Sequence, residues 1–167
     1  MRLPLRFIIL ATLLASFSAL AGEGNIEKNI FEFPMPSIST GISYPLIFSF
    51  SAGALLPLGK QDANNTFPSV PSLRADAEIG IGGGSADVGM YFPVDDGSFA
   101  INLKASRMRT WLVKWNEPIN TNYDGVITEL VALGHVPGKI GLGYFRDSEA
   151  VNNQHSSFIY LFVGVGW

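Results

Sequence analysis

The chain has 167 residues, enough for one domain, and carries a formal charge of −3 with no cysteine. The lack of cysteine excludes a disulfide framework and thiolate metal sites. The acidic balance, with no basic stripe, argues against nucleic acid as a partner.

Residues 1–21 (MRLPLRFIILATLLASFSALA) place Arg2 and Arg6 around the start of an apolar run and end on Ala19-Leu20-Ala21. That pattern predicts a secretory signal peptide cleaved before Gly22. The apolar run is shorter than the roughly 20 residues a membrane helix needs, and no cysteine is present to take a lipid anchor. Removing Arg2 and Arg6 leaves nine basic residues against fourteen acidic ones, a formal charge of −5. No later stretch is long and apolar enough for a spanning helix, so only a closed barrel could cross a bilayer.

Residues 22–40 are polar, then carry Pro34 and Pro36; they predict a periplasmic lead-in with a short strand at residues 30–33. From residue 41 the pattern has period two, which is the period of a strand. Residues 41–56 set Ile42, Tyr44, Leu46, Phe48, Phe50, Ala52 and Ala54 on one face against Ser43, Ile47, Ser49, Ser51 and Gly53. Pro45 conflicts with a closed sheet but lies near the strand start, where it is best tolerated. Residues 57–72 form a polar loop; its Asn64-Asn65-Thr66 sequon carries no weight in a bacterial setting. Further strands are predicted at 73–82, 86–92, 99–104, 107–115, 125–135, 140–146 and 156–167, eight in all. Residues 83–85, 105–106 and 136–139 read as tight turns, and 57–72, 93–98, 116–124 and 147–155 as longer loops. Short turns at one rim and long loops at the other is the pattern of outer-membrane barrels, and it puts the C-terminus on the short-turn rim. Several of these strands fall short of the roughly 9–11 residues of a spanning strand. Arg107 and Arg109 share parity with Trp111, Val113 and Trp115, so a bulge could switch faces within residues 107–115.

The last twelve residues, SSFIYLFVGVGW, alternate Ile159, Leu161, Val163, Val165 and Trp167 with Phe158, Tyr160, Phe162, Gly164 and Gly166. A strand that ends the chain on an aromatic resembles the closing strand of bacterial outer-membrane β-barrels. That resemblance implies an all-β, antiparallel up-and-down barrel of transmembrane type over residues 41–167, in the outer membrane. It also implies lipid as its surroundings, the barrel-assembly machinery as a partner during insertion, and Tyr160, Phe162, Val165 and Trp167 as the insertion signal. The stretches GIGGG, SFAINLKASRMRTW, YDGVITELVALG, GLGYFR and FVGVGW also resemble small exported bacterial proteins without an assigned activity.

Three groups of residues bear on function. Arg74, Asp76, Glu78, Asp87 and Lys104 fall opposite the aliphatic face, and Glu129, Arg107 and Arg109 are candidates to join them. An eight-stranded barrel is just wide enough for side chains to fill, so these predict a paired, charge-filled interior. Glycines 80, 89, 141, 143, 164 and 166 on that face leave a narrow conduction path or small-molecule site as the alternative. Tyr44, Phe92, Phe99, Trp111, Trp115, Tyr144 and Trp167 lie near strand ends, as interfacial girdles do.

His155 and Ser157, with Asp147 and Glu149 before them, have a spacing similar to outer-membrane lipid A deacylases. Those enzymes continue with a small polar stretch and carry their acid downstream; here Phe158 and Ile159 follow and no acid comes after Glu149. The expectation is therefore no catalytic residue, with a membrane-embedded lipid A-type hydrolase using His155 and Ser157 as the alternative; no metal and no cofactor are expected. His135 lacks a second His or any Cys near it and reads as structural beside Pro137. GIGGGS is no phosphate loop, because Ser85 stands at the third glycine position and no helix follows. The rival architecture is a soluble periplasmic barrel holding an apolar ligand, with its aliphatic face inward and Arg74, Asp76, Glu78 and Asp87 in water.

Overall fold

The computed structural model describes residues 34–60, 67–94, 98–111, 120–148 and 156–167. The predicted signal peptide and the 30–33 strand lie outside them. The strands are β1 (Met35–Tyr44), β2 (Ile47–Pro57), β3 (Ser72–Gly80), β4 (Gly83–Val94), β5 (Phe99–Thr110), β6 (Asn122–Ala132), β7 (Gly138–Asp147) and β8 (Ser157–Gly166). Each pairs antiparallel with the next, and β8 returns to β1, so the sheet closes into an eight-stranded barrel. Closure pairs every edge, which is how an all-β chain avoids exposed backbone donors and acceptors. The described residues contain no helix.

The eight strands are not the eight read from the sequence. Residues 41–56 are two strands, not one. The chain turns through Pro45 and Leu46, and Ser43 pairs with Ile47. The Tyr44–Pro45 peptide is cis, and Ile47 takes a left-handed φ of 69°. Pro45 therefore sits in a turn, where it needs no ladder donor. Conversely, the turn expected at residues 105–106 does not exist. Ala105 and Ser106 are mid-strand in β5, paired with Val88 and Asp87 on one side and Val126 and Gly125 on the other. They carry none of the Gly, Pro, Asn or Asp chemistry that a tight turn uses. One split and one merger leave the count at eight.

Several boundaries shift as well. β1 starts at Met35, so residues 35–40, expected in the lead-in, are barrel wall. The β3–β4 turn is Ile81-Gly82, and residues 83–85, expected as that turn, begin β4. The strands run to 9–12 residues; those read short, at 86–92, 99–104 and 140–146, extend to β4, β5 and β7. The expected division of short turns and long loops between rims fails. One rim carries the 45–46, 81–82, 111–121 and 148–156 connections; the other carries 58–71, 95–98 and 133–137 together with the C-terminus. The C-terminus thus shares its rim with the long 58–71 connection.

Strict alternation of buried and exposed positions along the strands separates an interior from an outer wall. On the wall stand Ile42, Phe48, Ile79, Val88, Leu103, Val126, Ile140, Leu142, Ile159, Leu161 and Val163, with Val126 63% exposed. Polar and charged residues point inward, including Arg74, Asp76, Glu78, Asp87, Lys104, Glu129 and Lys139. The soluble rival, with its aliphatic face inward, is the reverse of this arrangement.

Candidate functional site

The interior is layered. Its middle is an ionic and hydroxyl layer to which each strand contributes. Lys104 of β5 lies 2.9 Å from Glu129 of β6, 3.2 Å from Asp87 of β4 and 3.7 Å from Asp76 of β3. Arg74 donates through Nε to Asp76, its neighbour along the same face of β3. Lys139 of β7 lies 3.4 Å from Glu129 and donates to Ser39 Oγ of β1 at 2.8 Å. Ser39 meets Ser51 of β2 at 2.6 Å. Ser37 donates to Asp76, Ser106 to Asp87 and Asn102 to Glu129. Glu78 accepts from Tyr160 of β8 at 3.0 Å and from Ser43 of β1 at 3.3 Å. Charges taken from water are held only where such partners surround them.

Apolar layers seal the network at both ends. Toward the rim of the 45–46 turn lie Leu46, Met108, Tyr123, Ile127, Phe145 and Phe158. There Phe145 and Phe158 stack with centroids 5.3 Å apart, and Tyr123 meets Phe158 edge-on at 4.8 Å. Toward the terminal rim lie Leu55, Tyr91, Ala100 and Val131, with Leu133 and Trp167 packed against them. Inward glycines admit the bulk between. The Phe162 ring reaches over Gly41 and Gly164, where any β-carbon would strike it, and Lys139 Nζ stands 4.7 Å from that ring's centroid.

Arg74, Asp76, Asp87, Lys104 and Glu129 therefore meet in one network, while Glu78 lies inside the same barrel in a separate hydroxyl cluster with Ser43 and Tyr160. Arg107 and Arg109 do not join it. β5 alternates without interruption from Phe99 to Thr110, so no bulge resets its facing, and both arginines share the outward parity of Ile101 and Leu103. Arg107 is exposed on the wall, 3.9 Å from Asp124. Val113 and Trp115 lie outside the described residues.

Of the predicted insertion signal, Tyr160 and Phe162 point inward and Val165 outward. Trp167, expected on the outer face with Ile159, instead turns across the barrel end. Gly166 adopts φ 115°, a conformation only glycine takes readily. The Trp167 ring then packs edge-on against Phe67 at 5.2 Å. Ser157 opens β8 facing outward; His155 and Glu149 lie outside the described residues. His135 lines an open recess at the terminal rim with Phe67, Leu133, Pro137 and Trp167. Among the described residues no three His, Asp or Glu cluster as a metal site would require.

The sequence reading missed Lys139, which it placed in a turn, and the serines at 37 and 39. Their signal was present: Lys139 continues the inward parity of Gly141 and Gly143, and Ser37 and Ser39 that of Ser43. The arrangement defines a closed antiparallel barrel with an ionic, side-chain-filled interior and an apolar exterior. No protein-family model, no curated protein and no solved structure matches the chain.

Proposed function

We propose that this chain is a non-enzymatic integral outer-membrane β-barrel protein, exported with loss of residues 1–21. It is inserted by the barrel-assembly machinery, and it acts through its surface loops or as a structural component of the envelope. The observation that carries the reading is the inverted cross-section: aliphatic and aromatic side chains cover the wall while seven charged side chains are enclosed. In water such a wall would be a very large exposed apolar surface; in lipid it is the solvated face. The strand lengths of 9–12 residues agree with the roughly 9–11 of tilted spanning strands.

The filled interior supports a closed barrel over a pore. Tyr91, Ala100, Met108, Tyr123, Val131 and Phe145 have no solvent contact, so water has no path beside them.

The test is export in a Gram-negative host followed by sodium carbonate extraction and gel mobility with and without boiling. The chain is expected to stay with the outer membrane and to migrate differently once boiled. Release into the soluble fraction would sink the reading.

A further inference from the structure

The outer wall carries charge in one place among the described strands. Arg107 of β5, Asp124 of β6 and Arg146 of β7 are successive cross-strand partners. Arg109 stands two residues along β5, opposite Asn122. Adjacent strands lie about 4.8 Å apart, so Arg107 and Arg146 flank Asp124 at roughly twice that spacing. This outward patch carries three arginines and, between two of them, one aspartate. The Arg107–Asp124 pair is long at 3.9 Å and its side chains are 60% and 38% exposed, so it is a weak, water-screened contact.

The surroundings fit a particular occupant. Flanking outward positions are short: Gly84 and Ala86 on β4, Ser157 on β8. They leave a shallow floor beside the arginines. Trp111 closes one side, with its indole across Gly84 and its Nε1 donating to Ile81 O at 2.9 Å. One rung toward the barrel middle the row is Ala105, Val126, Tyr144 and Ile159; the next is Leu103, Thr128, Leu142 and Leu161. A cationic rung thus lies directly above an uncharged wall, matching the division between a phosphate headgroup and its acyl chains. The guanidinium fork pairs with phosphate oxygens bidentately, and basic residues at the edge of an apolar surface attract anionic lipid.

We infer that Arg107, Arg109 and Arg146 form a binding site for the phosphate of an anionic lipid whose acyl chains lie along β5–β8. The inference rests on the membrane reading above. The phosphate is that of a glycerophospholipid or of lipopolysaccharide, and the experiment separates the two.

The full-length gene is expressed, the protein purified from membranes in non-ionic detergent, and lipid retention measured by native mass spectrometry. The probes are phosphatidylglycerol, lipid A and phosphatidylcholine. Wild type is expected to retain phosphatidylglycerol or lipid A over phosphatidylcholine. The triple variant Arg107→Gln/Arg109→Gln/Arg146→Gln is expected to lose about tenfold in that preference, whereas Lys60→Gln on the opposite rim keeps it. Retention of lipid A alone assigns the site to lipopolysaccharide; retention of both assigns it to lipid phosphate generally. Asp124→Asn, which removes the carboxylate beside Arg107, is expected to strengthen retention and tests the site even if the triple variant misfolds. Equal retention of phosphatidylcholine, or no change in the Asp124→Asn and triple variants, overturns the inference. Carbonate release of the wild type would instead fault the membrane reading.

Discussion

Lys104 is the residue on which the interior turns. It faces three carboxylates from three strands, and among the described residues the other interior cations are Arg74 and Lys139. Lys104→Met keeps the volume but leaves Asp76, Asp87 and Glu129 short of one partner. Breaking a buried pair by removing one member costs about 3–5 kcal/mol. The expected result is an unfolding free energy lower by that amount, from urea titrations followed by tryptophan fluorescence of the barrel in detergent micelles or vesicles. Lys60→Met in the 58–71 connection should change that free energy by no more than about 0.5 kcal/mol. Glu78 is the contrasting case. Among the described residues its partners are the hydroxyls of Ser43, Ser49 and Tyr160, and it forms no ion pair. Glu78→Gln keeps an oxygen to accept from Tyr160 and removes a buried charge that lacks a direct ion partner. It is expected to be neutral or stabilising in the same assay, and a loss as large as that of Lys104→Met would contradict this account of the network.

At the scale of the elements, the β1–β8 seam closes the barrel with six paired positions, from Ser39↔Gly166 to Tyr44↔Leu161. A β-carbon on Gly41 would strike Val163 O, come within 2.7 Å of Gly164 Cα and 2.8 Å of Phe162 Cζ. Two of those atoms are backbone and cannot yield without opening the seam. Gly141 on β7 meets only side-chain atoms, Glu129 Cγ and Phe162 Cβ, both at 3.3 Å. Gly41→Ala is therefore expected to lose most of the compact, heat-modifiable form on gels, while Gly141→Ala folds at an overpacking cost of about 1–3 kcal/mol. These elements also show what the sequence could reveal. Cross-strand partners share a face. In β1–β2 the partners, such as Ile42 and Phe48, have equal parity, so the turn at Pro45 leaves the period-two pattern unbroken and invisible to it. In β3–β4 the partners, such as Ala75 and Val88, have opposite parity, so the switch of faces exposes the connection. Arg107 and Arg109 fall outside the interior for the converse reason, since the expected turn at 105–106 and a bulge beyond it would reset parity, and the continuous β5 does neither. The turn of Trp167 rests on the φ of Gly166, which alternation does not encode.

The molecule as a whole is a polar, hydrogen-bonded interior wrapped in an apolar wall, and that inversion makes a prediction no soluble barrel shares. Leu142 sits mid-strand on β7, 58% exposed, between Thr128 and Leu161 on the neighbouring strands. Its side chain touches no part of the ionic network, so replacing it tests the surroundings of the barrel and not its interior. Leu142→Arg at the midplane of a bilayer is expected to cost about 2–4 kcal/mol. On a wall facing water, the same exposed substitution would move stability by about 0.5 kcal/mol or less. The measurement is reversible denaturant unfolding in phospholipid vesicles. Depth supplies the internal control: Tyr144→Arg, one rung nearer the native Arg146, is expected to cost less, falling toward about 0–1 kcal/mol at the interface. A graded penalty from Leu142 to Tyr144 to the tolerated arginine at 146 would trace the lipid boundary along one strand. Equal, small effects at 142 and 144 would mean that the wall faces water.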